Sequence, residues 1–250
     1  MKLLDVHCHL DNTKFDEDRD EVIKRAEEAG LKVILTAGTD PKSNKASLRL
    51  AQKYHIVQAA LGAYPIDKDG KTIDWDVDKE ILFIKENKDK IKAIGEVGMD
   101  FSDSETDKVK QEEIFVKMIK LAKKFQIPII VHSRKAEKEV IDVLEREKAR
   151  KVIMHCFCGK KGQVKRAADL GYGFSIPANA QRAQNFQSII KEVNIRQIFT
   201  ETDAPYLGPI RDKRNEPANV KNTIDVIAEI KGFNPKETAN TIFMNYLQWF

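Results

Sequence analysis

The stretch LLDVHCHLDN, residues 3–12, begins as a short apolar run and reaches two histidines without passing a glycine. An open, doubly wound parallel sheet that binds nucleotide phosphate carries a glycine-rich turn after its first strand. No such turn is present here. In an extended strand successive side chains point to opposite faces, so Asp5, His7 and His9 share one side while Val6, Cys8 and Leu10 take the other. An apolar outer face lying on helices, with a polar set turned inward near the strand's C-terminal end, is what a closed (β/α)8 TIM barrel requires.

The rest of the chain agrees with closure. Further β-branched or apolar runs follow: KVILTAG, IVQAALGAYP, IKAIGEVG, IPIIVHS, KVIMHCF, YGFSIP and IRQIFTET. Between them lie stretches with apolar residues at three- and four-residue spacing, among them DEDRDEVIKRAEEAG, PKSNKASLRLAQKY and TDKVKQEEIFVKMIKLAKKF. Gly30 and Gly171 stand just past the end of two predicted helices, Pro41 stands near the start of another, and Asn234-Pro235 opens a last one. Strict alternation implies parallel strands, because a parallel neighbour is reached only through a crossover. With no Pro/Gly/Ser-rich linker and no change of composition, residues 1–250 are expected to form one α/β domain.

Composition excludes several classes. Lys plus Arg exceed Asp plus Glu by only 43 to 39, so the net charge of +4 permits a polyanionic partner without the basic tail of a dedicated nucleic-acid packer. The first residues hold no apolar run of signal-peptide length and no window approaches a membrane span, which points to the cytoplasm and away from membranes. Cys8, Cys156 and Cys158 are too few for a disulfide framework and are expected to pack in the core. No feature calls for an assembly beyond the monomer.

The ionisable residues are not scattered. Glu96 ends IKAIGEVG, His132 ends IPIIVHS, His155 comes late in KVIMHCF, and Asp203 follows IRQIFTET. Together with His7 and His9 they occupy the C-terminal ends of five predicted strands, the rim where barrel enzymes keep their chemistry. A lone histidine in a strand is usually a hydrogen-bonded core residue. Six ionisable groups on one rim would cost several kcal/mol per unpaired charge, about as much as a buried ion ordinarily does, unless cations lie among them. His55, before a strand rather than after one, is expected at the surface. The stripe Ile114, Met118, Leu121 and Phe125 has helical spacing and belongs to the core.

Several segments resemble the TatD-type metal-dependent deoxyribonucleases of the amidohydrolase superfamily: DVHCHLD, GEVGMDF (95–101), QEEIF (111–115), IPIIVHSRKA (127–136), HCFCG (155–159), ETDAPYL (201–207) and RNEPANV (214–220). They run in the family's order over nearly the whole chain. The resemblance implies two divalent cations (Mg, Mn or Zn), one on His7, His9 and Asp203, the other on His132 and His155, with Glu96 between them. It also implies hydrolysis of DNA from single-stranded or 3′ ends. Where the family usually reads Gly-x-His-Pro-His, this chain has GAYPI, with Tyr64 and Ile66 in the histidine places. The Tyr64 hydroxyl is therefore expected to take over a substrate contact. After GMDF the family's aromatic residues give way to polar ones.

On chemical grounds a nitrogen-rich set with two carboxylates suits first-row divalent ions or magnesium. Asp203 can both bind a cation and accept a proton from attacking water. Glu201 is expected deeper in the barrel, orienting a ligand, and Asp5 to accept a hydrogen bond from a ligand imidazole. Arg134 and Arg214 are candidate phosphate clamps, with Glu216 orienting Arg214. The leading expectation is a DNA phosphodiesterase, a 3′–5′ exonuclease or repair nuclease. The alternative keeps the same centre for small esters, lactones, amides or aminoacyl-tRNA esters, and a non-catalytic binding protein stands third.

Overall fold

The structure is a computed structural model describing all of residues 1–250. Its strands are β1 (Leu3–Cys8), β2 (Leu31–Ala37), β3 (Val57–Ala63), β4 (Ile91–Asp100), β5 (Ile129–Arg134), β6 (Val152–Met154), β7 (Gly173–Ile176) and β8 (Ile198–Thr200). All pair in parallel, in chain order, within one eight-stranded sheet. The last seam is closed by the segment after β8, where Asp203 donates its N–H to His7 O at 2.9 Å and His9 to Ala204 O at 2.7 Å. The predicted barrel is thus the observed one.

Helices fill the crossovers: α1 (Arg19–Ala29), α2 (Pro41–Lys53), α3 (Val77–Glu86), α4 (Lys108–Phe125), α5 (Glu137–Arg146), α6 (Lys161–Asp169), α7 (Gln184–Glu192) and α8 (Val220–Lys231). Their ends follow local chemistry. Asp40 caps α2 by accepting from Lys42 N and Ser43 N, with Pro41 in the first turn, and Gly30 ends α1 at φ 101°. The stripe on α4 faces inward, with Ile114, Met118 and Leu121 buried and Phe125 packed against the core.

A ninth helix, α9 (Pro235–Trp249), starts at the Asn234 cap and crosses the end of the barrel where the strands begin. Asn245 donates to Ile195 O at 2.8 Å and Ile198 O at 2.9 Å, and Tyr246 OH reaches Gln58 at 2.5 Å. Trp249 meets Phe199 edge to face, ring centres 5.2 Å apart. One contiguous apolar cluster joins strands and helices. No helix is long and apolar enough to cross a membrane.

Two glycines let strands close in around the future site. A Cβ on Gly62 would lie 2.3 Å from Glu96 O, and one on Gly98, whose φ is +147°, would lie 2.0 Å from His132 O. β4 therefore nests against both neighbours where its carboxylates emerge.

Candidate metal centre

The six strand-end residues converge. Glu96 lies at the middle of the set, and its two oxygens face different partners. Oε2 is 3.3 Å from His7 Nε2 and 3.5 Å from His9 Nε2, while Oε1 is 3.2 Å from His132 Nδ1 and 3.7 Å from His155 Nε2. Asp203 Oδ1 closes the first side at 3.6 Å from His7 Nε2 and 3.4 Å from His9 Nε2. Asp203 adopts φ 55°, a left-handed conformation that Asp tolerates better than most residues, with its N–H anchored on β1.

Neighbours that can only accept orient three of the four imidazoles. His9 donates from Nδ1 to Ala37 O at 3.0 Å, leaving Nε2 for the cluster. His155 donates from Nδ1 to Glu201 at 2.6 Å and likewise turns Nε2 inward. His132 is reversed: Nε2 donates to Asp100 Oδ2 at 3.0 Å, so Nδ1 faces Glu96. Buried His7 has no hydrogen-bond partner on either ring nitrogen. An orphaned imidazole nitrogen aimed at two carboxylates matches the donor chemistry of a divalent cation.

Electrostatics agree. Burial alone would raise the Glu96 carboxyl, but His7, with a hydrogen bond from His132, holds it well below the usual range. Asp203, against the same opposition from burial, is held down by His7 and His9. Burial lowers His132, yet Asp100 and Glu96 outweigh it and lift the imidazole to about 9. The carboxylates stay ionised at neutral pH. Groups that satisfy the geometry of cation ligands are His7, Glu96 and His155, and His7, His9 and Asp203. His9, Asp203 and His132 keep 13–15% of their side-chain surface open, so the cluster is reached from the rim of the barrel.

The surrounding residues fall out differently from expectation in four places. Asp5 does not touch an imidazole: it accepts from His7 N at 3.1 Å, Thr202 N at 3.0 Å and Thr202 Oγ1 at 2.5 Å, so it fastens the backbone of the ligand strand to the segment after β8. Arg214 is no free phosphate clamp, because its guanidinium grips both oxygens of Asp18 at 2.7 and 2.6 Å and Lys14 O at 2.6 Å. Glu216 pairs with Arg25 on α1, at 2.7 Å, rather than with Arg214. Cys158 is exposed rather than packed, in the segment after β6 where Phe157 takes the buried place, while Cys8 is buried and Cys156 half-buried.

The remaining residues are placed as follows. Glu201 is fully buried below His155, steadied by Ser175 Oγ at 2.5 Å and Cys156 N at 3.1 Å. Tyr64 reaches the cluster, its hydroxyl 3.1 Å from His132 Nε2 and 3.4 Å from Asp100 Oδ2. Arg134 is exposed two residues beyond His132 on β5, and His55 is exposed far from the cluster. Sequence reasoning missed Asp100, although strand alternation alone puts Glu96, Gly98 and Asp100 on one face of β4. Gln111, inside the QEEIF segment, clamps Asp100 through both backbone groups: Asp100 N donates to Oε1 at 2.8 Å and Nε2 donates to Asp100 O at 2.9 Å.

Comparison with known proteins gives consistent neighbours. A family model described as TatD related DNase matches residues 4–250. Human deoxyribonuclease TATDN3 is 33% identical over 99% of this chain and 94% of its own length. The 3′-5′ ssDNA/RNA exonuclease TatD of Salmonella typhimurium is 29% identical over 95% of this chain and 94% of its own. Among solved structures, the Escherichia coli K12 TatD homologue YjjV superposes with a TM-score of 0.91 at 26% identity, covering 99% of this chain and 97% of that one.

Proposed function

The chain belongs to the TatD-related DNase family, and on that premise we propose that it is a metal-dependent hydrolase of DNA phosphodiester bonds, working as a 3′–5′ exonuclease. The observation that carries this reading is Glu96, with one oxygen toward His7 and His9 and the other toward His132 and His155. His7, His9 and Asp203 would hold one divalent cation, His132 and His155 a second, and Glu96 would serve both. Magnesium, manganese and zinc all suit the donors. Bound there, such a pair supplies Lewis acidity, which eases ionisation of water near neutral pH and stabilises charge building on a phosphodiester.

The chain's own groups do the rest. Asp203, ionised and open to solvent at the rim, accepts the proton of the attacking water. Asp100 and Glu201 accept from His132 Nε2 and His155 Nδ1 and so hold each ring with its other nitrogen toward the cluster. Arg134, exposed at the end of β5, is placed to offer its guanidinium to a phosphate oxygen. The Tyr64 hydroxyl, whose ionisation is suppressed by burial and by Glu96, stays a neutral donor beside His132. Asp5 ties His7 to the strand-end segment that carries Asp203.

Purified protein incubated with single-stranded and duplex oligonucleotides, with magnesium, manganese or zinc against chelator, tests the reading. Metal-dependent shortening from 3′ ends is expected. Turnover of carboxylic esters or amides far above that on DNA would move the same cluster to another substrate class.

A further inference from the structure

Two loops at the rim are built around one exposed aromatic ring. Tyr206, in the segment after β8, is 47% exposed, and its N–H is anchored on Asp203 O at 2.8 Å. Its hydroxyl accepts from Asn12 Nδ2 at 3.3 Å, and Lys14 Nζ stands 5.0 Å from the ring centre. Asn12 also accepts from Lys14 N at 3.0 Å, and Arg214, itself pinned to Asp18, holds Lys14 O at 2.6 Å. A stray exposed tyrosine is common. One fixed by its backbone, its hydroxyl and a cation over its face is a constructed feature. The ring centre lies 6.4 Å from that of His9, so it borders the cluster directly.

Resting on the nuclease reading, we propose that Tyr206 and Lys14 form a nucleotide subsite: the ring stacks an unpaired base of the strand end whose phosphate occupies the cluster, and the ammonium pairs with a neighbouring phosphate. Stacking tolerates any base, because every base has a π-face. The subsite thereby holds strand ends without sequence preference. It also explains the Arg214–Asp18 pair, which sets the loop that carries Lys14 rather than gripping substrate.

The test measures binding, apart from turnover. Metal-loaded protein is titrated by fluorescence anisotropy with a hydrolysis-resistant phosphorothioate oligonucleotide, and with the same oligonucleotide made abasic at its 3′ end. The natural end should bind about 5- to 100-fold more tightly. Tyr206→Leu should erase that difference while leaving the abasic affinity unchanged, and Tyr206→Phe should preserve it. Lys14→Ala should weaken both and reduce the slope of log affinity against log salt by about 0.7. Equal affinity of the unmodified protein for the two ends, or equal losses on both in Tyr206→Leu, overturns the subsite. Cleavage of an ordinary oligonucleotide is scored separately: cleavage with equal affinities rejects the subsite alone, and discrimination without cleavage rejects the nuclease reading alone.

Discussion

Asp203 answers to three demands at once: its backbone closes the barrel seam, its carboxylate faces His7 and His9, and it remains open to water at the rim. If it accepts the proton of the attacking water as well as binding a cation, Asp203→Asn assayed at saturating metal should lower kcat by about 10²–10⁴. Full recovery of kcat once the variant is reloaded with metal would reduce Asp203 to a ligand only. The Arg214–Asp18 pair makes a second residue-level claim, about pH. Arg214 holds the Asp18 carboxyl down at about 2, against a small opposing effect of burial and with help from Arg25. A depressed carboxylate contributes stability above its unfolded pKa, about 4, and that contribution is lost as pH falls through 2. Both partners are about one-third exposed, so the pair contributes only about 0.2–1 kcal/mol. The difference in urea midpoint between the protein and Asp18→Asn should therefore be small at neutral pH and shrink steadily below pH 4; a constant difference down to pH 2 would contradict the assignment. At this scale the sequence placed the candidate ligands at strand ends, but did not show which partner each flanking charge would choose. Arg214, Glu216 and Asp5 all found nearer partners, on elements up to about 200 positions away in the chain.

β4 shows what an element contributes beyond its residues. It carries Glu96 and Asp100 on one face, admits its neighbours at Gly62 and Gly98, and is held at its end by the amide of Gln111 on α4. Replacing Gln111 by Leu leaves a buried N–H and C=O of Asp100 without partners, which should cost about 1–3 kcal/mol for a group so stranded. Urea unfolding of Gln111→Leu measures this; an unchanged midpoint would mean that the clamp is idle. Strand and helix order were legible because each apolar run is punctuated and each helix carries its stripe and caps. Strand ends were less so. The runs KVIMHCF and IRQIFTET extend well beyond the pairing observed, which stops at Met154 and Thr200. Apolar character continues past those points because the loops carrying His155 and Asp203 are themselves buried, and burial reads the same in sequence whether or not a ladder lies beneath it.

At the scale of the whole molecule, division of labour between the two ends of the barrel accounts for the arrangement. α9 covers the end where strands begin and ties β8 to the chain terminus, which leaves the other end free to gather ionisable groups from five strands. With a net charge of only +4, attraction for a polyanion is expected to come from the rim itself, from Arg134, Lys14 and any divalent cation the cluster holds. The architecture was readable from eight alternating units and a first strand lacking a phosphate turn. What was not readable was the pairing of loops across the seam, since the β1–α1 loop and the segment after β8 meet only once the sheet has closed. On the proposed function, this closure turns six distant side chains into one site for two cations sharing Glu96. Metal content after equilibrium dialysis, compared between the protein and Glu96→Gln, decides it: two equivalents are expected in the first and fewer than one in the second, whereas two equivalents retained by Glu96→Gln would overturn the shared role of Glu96.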